Sequence, residues 1–260
     1  MARQGLFGEV LHAECGYRHD LRTHKLSDDF YVDMWRIKHS FNRDGNLYPT
    51  HGLGPVAQVM NVNRGDRFDY LVSMSSKSIG LNLKAEEMYG KDHPLATRDY
   101  ALGDINITLI RTKNGRTITI YHDTSSPRPY SRINLVQGTN GITRKWPMPS
   151  LVHIEGQSPQ HQWEELENYT DKYEHPVWTA KGEEARGGGH GGMDYIEDYR
   201  LIQCLNEGTQ QDLDVYDAAS WSAVAPLSEK SVAQRGASID VPDFTRGAWK
   251  TRPSLGIIEM

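Results

Sequence analysis

The chain has few cysteines and no strong excess of either charge. Its 260 residues include two cysteines, Cys15 and Cys204, which are too few for a disulfide framework and lack the paired spacing of a zinc site. We therefore expect two free thiols and no metal centre. The 29 basic and 34 acidic residues give a net charge of -5 without a long block of one sign. This balance argues against nucleic acid and anionic membranes as partners.

Long apolar runs are also absent. None approaches the roughly 20 residues that a membrane-spanning helix needs, so we expect no membrane segment. The start, "MARQGLFGEV", lacks the three regions of a signal peptide, and the compartment stays undetermined. Instead, the letters ARQ are helix formers, and Gly5 suits the left-handed residue that ends a helix. This pattern predicts that residues 1–5 are the remnant of an element that begins before Met1.

Alternating apolar residues predict several strands. The segments "FGEVLHAECGY" and "DRFDYLVSMSS" each fit one strand. Farther along, two alternating runs, Ile105 to Leu109 and Ile118 to Ile120, flank an Asn114-Gly115 turn and predict a hairpin. A second strand pair is predicted around Asn140-Gly141. Because these strands follow one another with short connections, we expect an antiparallel or mixed sheet.

Two helices are predicted from local signals. Gly54 to Val62 fits a short helix opened by Pro55, since proline is tolerated in a first helical turn. Apolar residues recur at helical spacing from Met193 to Leu205, and Gly208 is placed to end that helix. Together with the strands, these helices indicate an α+β fold.

The last helical pattern runs from Val215 toward Gly236. Asp214 is a candidate N-cap for it, and Pro226 predicts an interruption or kink. The segment from Leu151 to Gly189 is rich in charged and polar residues, so long loops are expected there.

One short motif, "YPTHG", places two ionisable rings close together. His51 can act as a general base near neutral pH, and the Tyr48 phenol can do so if neighbouring positive charge lowers its pKa. A core histidine and a buried tyrosine hydroxyl would produce the same letters, so the pentad by itself leaves both interpretations open.

Three further stretches carry polar chemistry. In "CGYRHDLR", alternation places Tyr17 and His19 on one face of a strand. This face could line a cleft or form a solvated edge of the sheet. In "GGGHGGMDY", glycines around His190 precede a helix and form either a ligand-binding loop without phosphate-loop residues or a flexible lid. In "SSPRPYSR", Tyr130 offers a flat ring that suits a sugar. No nucleophile elbow, zinc motif or distinctive carboxylate pair accompanies them.

Longer runs are more specific than these motifs. The stretches "WRIKHSFNRDGNLYPTHGLGPVAQVMNVNRGDRFDYLVSMSS", "GGGHGGMDYIEDYRLIQCLNEG" and "DVYDAASWSAVAPLSEKSVAQRGASIDVPDFTRGAWK" closely resemble the NAD-dependent α-N-acetylgalactosaminidase family of glycoside hydrolases. The resemblance extends from about Gly5 to Lys250. This family belongs to the Gfo/Idh/MocA group, in which a Rossmann domain precedes a C-terminal domain with a large open, mostly antiparallel (mixed) sheet flanked by helices.

The resemblance implies that residues 1–260 form only the C-terminal substrate-binding and catalytic domain. No G-x-G-x-x-G motif follows a strand, so we expect the Rossmann domain to be absent from this chain. A truncated gene, an internal start and a separate Rossmann chain are all consistent with this. In each case we expect the chain alone to be catalytically silent and to bind NAD weakly.

The family's reaction implies the substrate and cofactor. Its members remove terminal α-linked N-acetylgalactosamine from glycans by oxidation, elimination, addition of water and reduction, with NAD as the cofactor. By motif, Tyr48 and His51 match the active-site pair, with His51 as base for the C3 hydroxyl and Tyr48 as acid/base at C2, or the reverse. Arg36 is expected to donate to the N-acetyl carbonyl or a hydroxyl, and His190 has a less defined role. The positions matched to substrate contact are Tyr17, Arg36, Tyr48, Pro49, Thr50, His51 and Tyr130.

Two other classes of function remain. A sugar oxidoreductase of the same superfamily would share the fold and release the oxidised sugar. A non-catalytic sugar-binding or oligomerisation module would keep the sheet and the sugar-facing residues. In all three cases we expect a homo-oligomer formed through sheet faces, with the runs Ile105 to Leu109 and Ile118 to Ile120 offering apolar side chains.

Overall fold

The computed structural model describes residues 1–258, and a nine-stranded sheet is its central element. The strand order is β8-β7-β6-β5-β1-β4-β3-β2-β9. Every neighbouring pair is antiparallel except β1 with β4, which is parallel. The predicted α+β fold with a large open, mostly antiparallel sheet is therefore confirmed. The strands are β1 (Val10–Arg18), β2 (Phe68–Ser75), β3 (Ile105–Thr112), β4 (Thr117–Asp123), β5 (Leu135–Gly138), β6 (Gly141–Arg144), β7 (Leu151–Ile154), β8 (Glu164–Glu165) and β9 (Ile239–Asp240).

Helices flank the sheet. They are α1 (Arg22–Leu26), α2 (Trp35–Asn42), α3 (Thr50–Val59), α4 (Gly80–Tyr89), α5 (Pro94–Thr97), α6 (Thr170–Tyr173), α7 (Pro176–Lys181), α8 (Met193–Glu207) and α9 (Val215–Ala233). Helix α3 lies against β1 and α9 lies against β2. A smaller apolar cluster around Leu26, Ile37 and Leu81 joins α1, α2 and α4 beside the main core.

The main core lies between one face of the sheet and helices α3 and α9. Leu53 of α3 and Val224 of α9 are fully buried there, as are Ile118 and Ile120 of β4. Burying side chains of this size stabilises the fold by roughly 1.5–3 kcal/mol each. This packing holds α3, and with it the "YPTHG" motif, close to the sheet.

The two apolar runs of the predicted hairpin face opposite sides of the sheet. The register pairs Ile110 with Ile118, so both point toward the helices. Ile107 and Leu109 alternate with Ile110 and point to the other face, where they are 41% and 49% exposed. The expectation that Ile118 and Ile120 also offer side chains to a second layer is wrong, because the helices already cover them.

Helix α3 begins one turn earlier than predicted. It starts at Thr50, and Pro55 lies inside it rather than in its first turn. Proline removes only its own N–H, so the carbonyl of His51 alone loses its helical partner. The preceding turn still closes, because Leu53 N–H donates to the carbonyl of Pro49 over 2.9 Å. The earlier start places His51 within the first turn.

The C-terminal helices follow the sequence pattern. Helix α8 ends at Gly208, which is left-handed as predicted. Helix α9 begins with a capping box between Asp214 and Asp217. It continues through Pro226 as one helix, so the predicted interruption is wrong, because proline removes only its own N–H from the helical hydrogen bonds. The prediction of loops from Leu151 to Gly189 is wrong, since β7, β8, α6 and α7 lie there. The four residues of β7 are too few to show the alternation of a strand in the sequence. This strand forms because it pairs with β6.

The structure contains the left-handed glycine predicted at position 5 and the two predicted free thiols. A short helical turn at Ala2–Gln4 ends at left-handed Gly5. Cys15 and Cys204 are buried free thiols. Among residues 1–258, no group of three or more His, Cys, Asp or Glu side chains is placed to hold a metal ion. In that same range, every helix is too short or too polar to cross a membrane.

Candidate active site

A backbone contact between α3 and β1 sets the geometry of the site. Gly52, in the first turn of α3, rests on Gly16 of β1 so closely that a Cβ on Gly52 would lie 2.4 Å from the Gly16 nitrogen. Because real Cβ atoms do not approach backbone this closely, position 52 requires glycine. The contact places His51, next to Gly52, over Tyr17, next to Gly16.

Four rings from three segments meet at this point. The ring centroid of Tyr17 lies 4.7 Å from that of Tyr48, 5.3 Å from that of His51 and 6.2 Å from that of Tyr130. Tyr48 and His51 are themselves 4.6 Å apart. Tyr17 meets the other three edge-on, a favourable arrangement for aromatic rings. The structure therefore brings together the tyrosines and the histidine that the sequence singled out.

Arg36 joins this cluster from α2. Its guanidinium carbon lies 5.4 Å from the ring centroid of Tyr48, 5.0 Å from that of Tyr31 and 4.6 Å from that of Trp35. Within residues 1–258, Arg36 has neither a salt bridge nor a hydrogen bond, and its Nε is buried without a partner. Its donors are thus available to a ligand.

Beside the cluster lies an open cleft of about 770 Å³. Tyr17, His51 and Tyr130 form one wall, and the segment that precedes α8 contributes His190 to another. This volume falls in the range of small-molecule sites in proteins. Tyr48 and Arg36 line a smaller neighbouring cavity instead of this cleft. Pro49 and Thr50 line neither space. They form the start of α3, where Pro49 is buried and its carbonyl accepts the first helical hydrogen bond.

His190 occupies a strained position at the cleft. Its backbone is left-handed, with φ 52°, between two glycines. The imidazole Nδ1 lies 3.0 Å from the carboxylate of Asp194 in the first turn of α8, and the side chain is exposed. This contact fixes the ring orientation. The glycine-rich segment thus presents His190 to the cleft rather than a phosphate-binding turn.

Sequence reasoning missed several residues of the cleft. His19 was placed beside Tyr17 by alternation, and its Nδ1 lies 3.3 Å from the Tyr17 hydroxyl. No pattern indicated the others, because they come from irregular segments and from the region predicted as loops. The missed lining residues are Arg132, Lys145, Trp146, Glu174 and Trp178.

The surroundings of His51 keep its ring neutral. Burial, with smaller contributions from Arg132, His190 and Arg36, lowers the pKa of His51 to about 4. A neutral imidazole at pH 7 can accept a proton. Burial also raises the pKa of the Tyr17 phenol, against the opposing charge of Arg36. Tyr17 therefore remains a protonated hydrogen-bond donor.

Comparison with known proteins finds relatives that match nearly the whole chain. The model of the family described as "Glycosyl hydrolase 109, C-terminal domain" matches residues 1–251. A "Glycosyl hydrolase family 109 protein" of Shewanella amazonensis is 52% identical over 100% of this chain. One of Shewanella pealeana is 51% identical over 99% of it. The chain spans 57% of the length of each of these curated relatives.

Solved structures share the fold at low identity. A levoglucosan dehydrogenase in complex with NADH superposes with a TM-score of 0.64 at 18% identity, covering 93% of this chain and 61% of that one. An inositol dehydrogenase homologue from Azotobacter vinelandii, complexed with NADH and myo-inositol, gives a TM-score of 0.55 at 17% identity, covering 92% and 60%. The fold is therefore that of the C-terminal domain of Gfo/Idh/MocA-type dehydrogenases.

Proposed function

The chain belongs to the glycosyl hydrolase 109 family, as a C-terminal domain, and we propose that it is the sugar-binding half of a glycosidase that removes terminal α-linked N-acetylgalactosamine. One observation carries the proposal beyond the family. A neutral His51 lies in ring contact with Tyr48 beside a cleft large enough for a sugar. Both residues belong to the motif through which the sequence resembles the α-N-acetylgalactosaminidases.

The residues of this chain would hold and move protons. His51, neutral at pH 7, would accept the proton of the sugar C3 hydroxyl, and Tyr48 would exchange the proton at C2, although the two roles can be reversed. Tyr17 and Tyr130 would contact the faces and hydroxyls of the sugar. Arg36 would donate to the N-acetyl carbonyl or a hydroxyl, since its guanidinium has no protein partner among the described residues.

The proposal includes NAD as the cofactor, which would take up and return a hydride at C3. The described residues contain no glycine-rich turn between a strand and a helix that fits a pyrophosphate. We therefore assign no residue of this chain to the cofactor. We propose that a dinucleotide-binding domain, joined to this one or carried by a separate chain, provides that site.

The test is activity in the presence of such a domain. Tyr48→Phe and His51→Ala should each lower kcat on a chromogenic α-N-acetylgalactosaminide by about 100-fold or more, as expected for loss of a positioned acid or base. Matched controls are Tyr70→Phe and His12→Ala on the other face of the sheet, which should change kcat little. If a site variant keeps near-normal kcat and only KM rises, that residue binds substrate and has no role in proton transfer.

A second candidate is a sugar dehydrogenase, because the structural neighbours include NADH complexes of dehydrogenases. It predicts a different product. The glycosidase releases unmodified N-acetylgalactosamine without net change in NAD, whereas the dehydrogenase accumulates oxidised sugar and NADH. Mass analysis of the sugar and absorbance of NADH separate them. A domain that only binds sugar would yield neither product.

A further inference from the structure

A second, smaller cavity lies beside the candidate active site. It has a volume of about 100 Å³, and Tyr48 and Arg36 form part of its wall. This space suffices for several water molecules or for one small ion or group. Of the residues described, those that line the cavity include five basic side chains and no carboxylate. The basic residues are Lys25, Arg36, His39, Arg43 and His122.

Lys25 is the least expected of these residues. It lies on α1 and is 2% exposed. Its ammonium donates to the hydroxyls of Ser40 and Ser125, over 3.3 and 3.2 Å. No carboxylate of residues 1–258 lies within 4.0 Å of it. Because an ammonium has three donors and a buried charge is costly without an anionic partner, the protein leaves this group incompletely satisfied.

Burial in the wall of the cavity shifts the pKa of two titratable groups. Burial, with a smaller contribution from Arg36, lowers the pKa of Lys25 to about 7, and the more distant Asp104 and Asp123 oppose the shift. Burial, Lys25 and Arg36 together lower the pKa of His122 to about 3. In both groups burial is the main cause of the shift, and neighbouring positive charge adds to it.

Unpartnered donors and acceptors point to an occupant. His122 is 3% exposed, and its Nδ1 is buried without a hydrogen-bond partner in the described chain. Arg36 Nε is in the same state. Arg43 differs, because its Nε lies 2.5 Å from Glu229, which neutralises it. Within residues 1–258, the cationic side chains of the cavity without a carboxylate partner are therefore Lys25 and Arg36, and His122 lines the same cavity.

We propose that this cavity binds a small oxyanion of the sulfate type. A guanidinium fork and an ammonium bind such oxygens through short, charge-assisted hydrogen bonds, and the hydroxyls of Ser40 and Thr124 can add donors. The oxyanion has two possible sources. One is a free inorganic anion, and the other is a sulfate ester carried by the sugar in the adjoining cleft. The second source rests on the proposed function.

The first experiment uses inorganic sulfate and calorimetry. The wild-type chain should bind one sulfate, and Lys25→Met should weaken binding by at least about 10-fold, as expected for loss of a charged hydrogen bond. Lys38→Met is the matched control, because Lys38 is exposed on α2. This variant should bind sulfate with the affinity of the wild type. Thr124→Val, a change of nearly equal volume, should weaken binding by about 2- to 10-fold and tests the site if Lys25→Met does not fold.

The second experiment compares sulfated with unsulfated N-acetylgalactosamine. If the sugar carries the oxyanion, the wild type and Lys38→Met should bind the sulfated sugar more tightly, and Lys25→Met should lose that preference. Binding of sulfate without binding of either sugar would support a free-anion site and contradict the proposed substrate. The proposal is overturned if sulfate does not bind and sulfation gives no preference. It is equally overturned if Lys25→Met and Thr124→Val bind sulfate as well as Lys38→Met does.

Discussion

Replacing Gly52 with alanine should separate the catalytic motif from the strand beneath it. The added Cβ would lie 2.4 Å from the nitrogen and 2.7 Å from the carbonyl oxygen of Gly16, whereas ordinary contacts begin at 3.4 Å. Both atoms belong to the backbone of a paired strand, so no side-chain rotation relieves the clash. Helix α3 must therefore retreat by about 1 Å, and His51 and Tyr48 must move with it.

The expected effect can be measured against a variant of the same helix. Gly54→Ala adds the same methyl group, but the atoms nearest to its Cβ would belong to the Trp221 side chain, at 3.1 Å or more. Both variants gain about 1 kcal/mol of helix propensity. Only Gly52→Ala carries the full cost of overpacking, typically about 1–3 kcal/mol. The Tm of Gly52→Ala should therefore be lower than that of Gly54→Ala by about 2–4 °C for each kcal/mol of overpacking cost.

Activity provides the second measurement. With the dinucleotide-binding domain present and at a temperature well below unfolding, Gly52→Ala should lower kcat by about 100-fold, the size of effect that follows a 1 Å misplacement of reacting groups. Gly54→Ala should retain most activity. Equal stability and equal kcat for the two variants would show that the contact between α3 and β1 does not set the site geometry.

Two further predictions concern the sheet face and acid stability. We propose a homodimer that forms through the outer face of the sheet, where Ile107 and Leu109 are exposed. Ile107→Lys should then raise the dimer Kd, measured by sedimentation, by at least about 10-fold. The control Glu86→Lys, at an exposed position on α4, should leave the Kd unchanged. A wild-type chain that stays monomeric at all concentrations contradicts this. Folded His122 resists protonation, whereas the unfolded residue titrates near pH 6.5, so its contribution to the free energy of unfolding is complete above pH 6.5 and is lost toward pH 3. Urea titrations should show a slope of up to about 1.4 kcal/mol per pH unit that His122→Asn reduces, and an unchanged slope would exclude this histidine as the cause.

The sequence alone was sufficient to predict those helices and strands whose signals lie within one short segment of the chain. Alternation and a turn containing Asn114-Gly115 predicted the hairpin of β3 and β4, and a capping residue and a left-handed glycine predicted the bounds of α8 and α9 to within a few residues. These signals act over a few residues, so they can be read without knowing the partner. The candidate residues Arg36, Tyr48 and His51 were also found in the sequence, in a long motif that carries the family resemblance, and Tyr17 and Tyr130 were found in two shorter stretches.

Tertiary structure decided what depends on partners far along the chain. The β3 and β4 register determined that Ile107 faces outward while Ile118 is buried, and pairing with β6 formed a strand at Leu151–Ile154 in a segment that shows no alternation. The chain also contains many basic residues, but only the fold places Lys25 and Arg36 around one cavity to which the described part of the chain contributes no carboxylate. Such a cavity depends on distance and burial, because the energy of a charge is determined by the groups and solvent around it rather than by its neighbours in sequence.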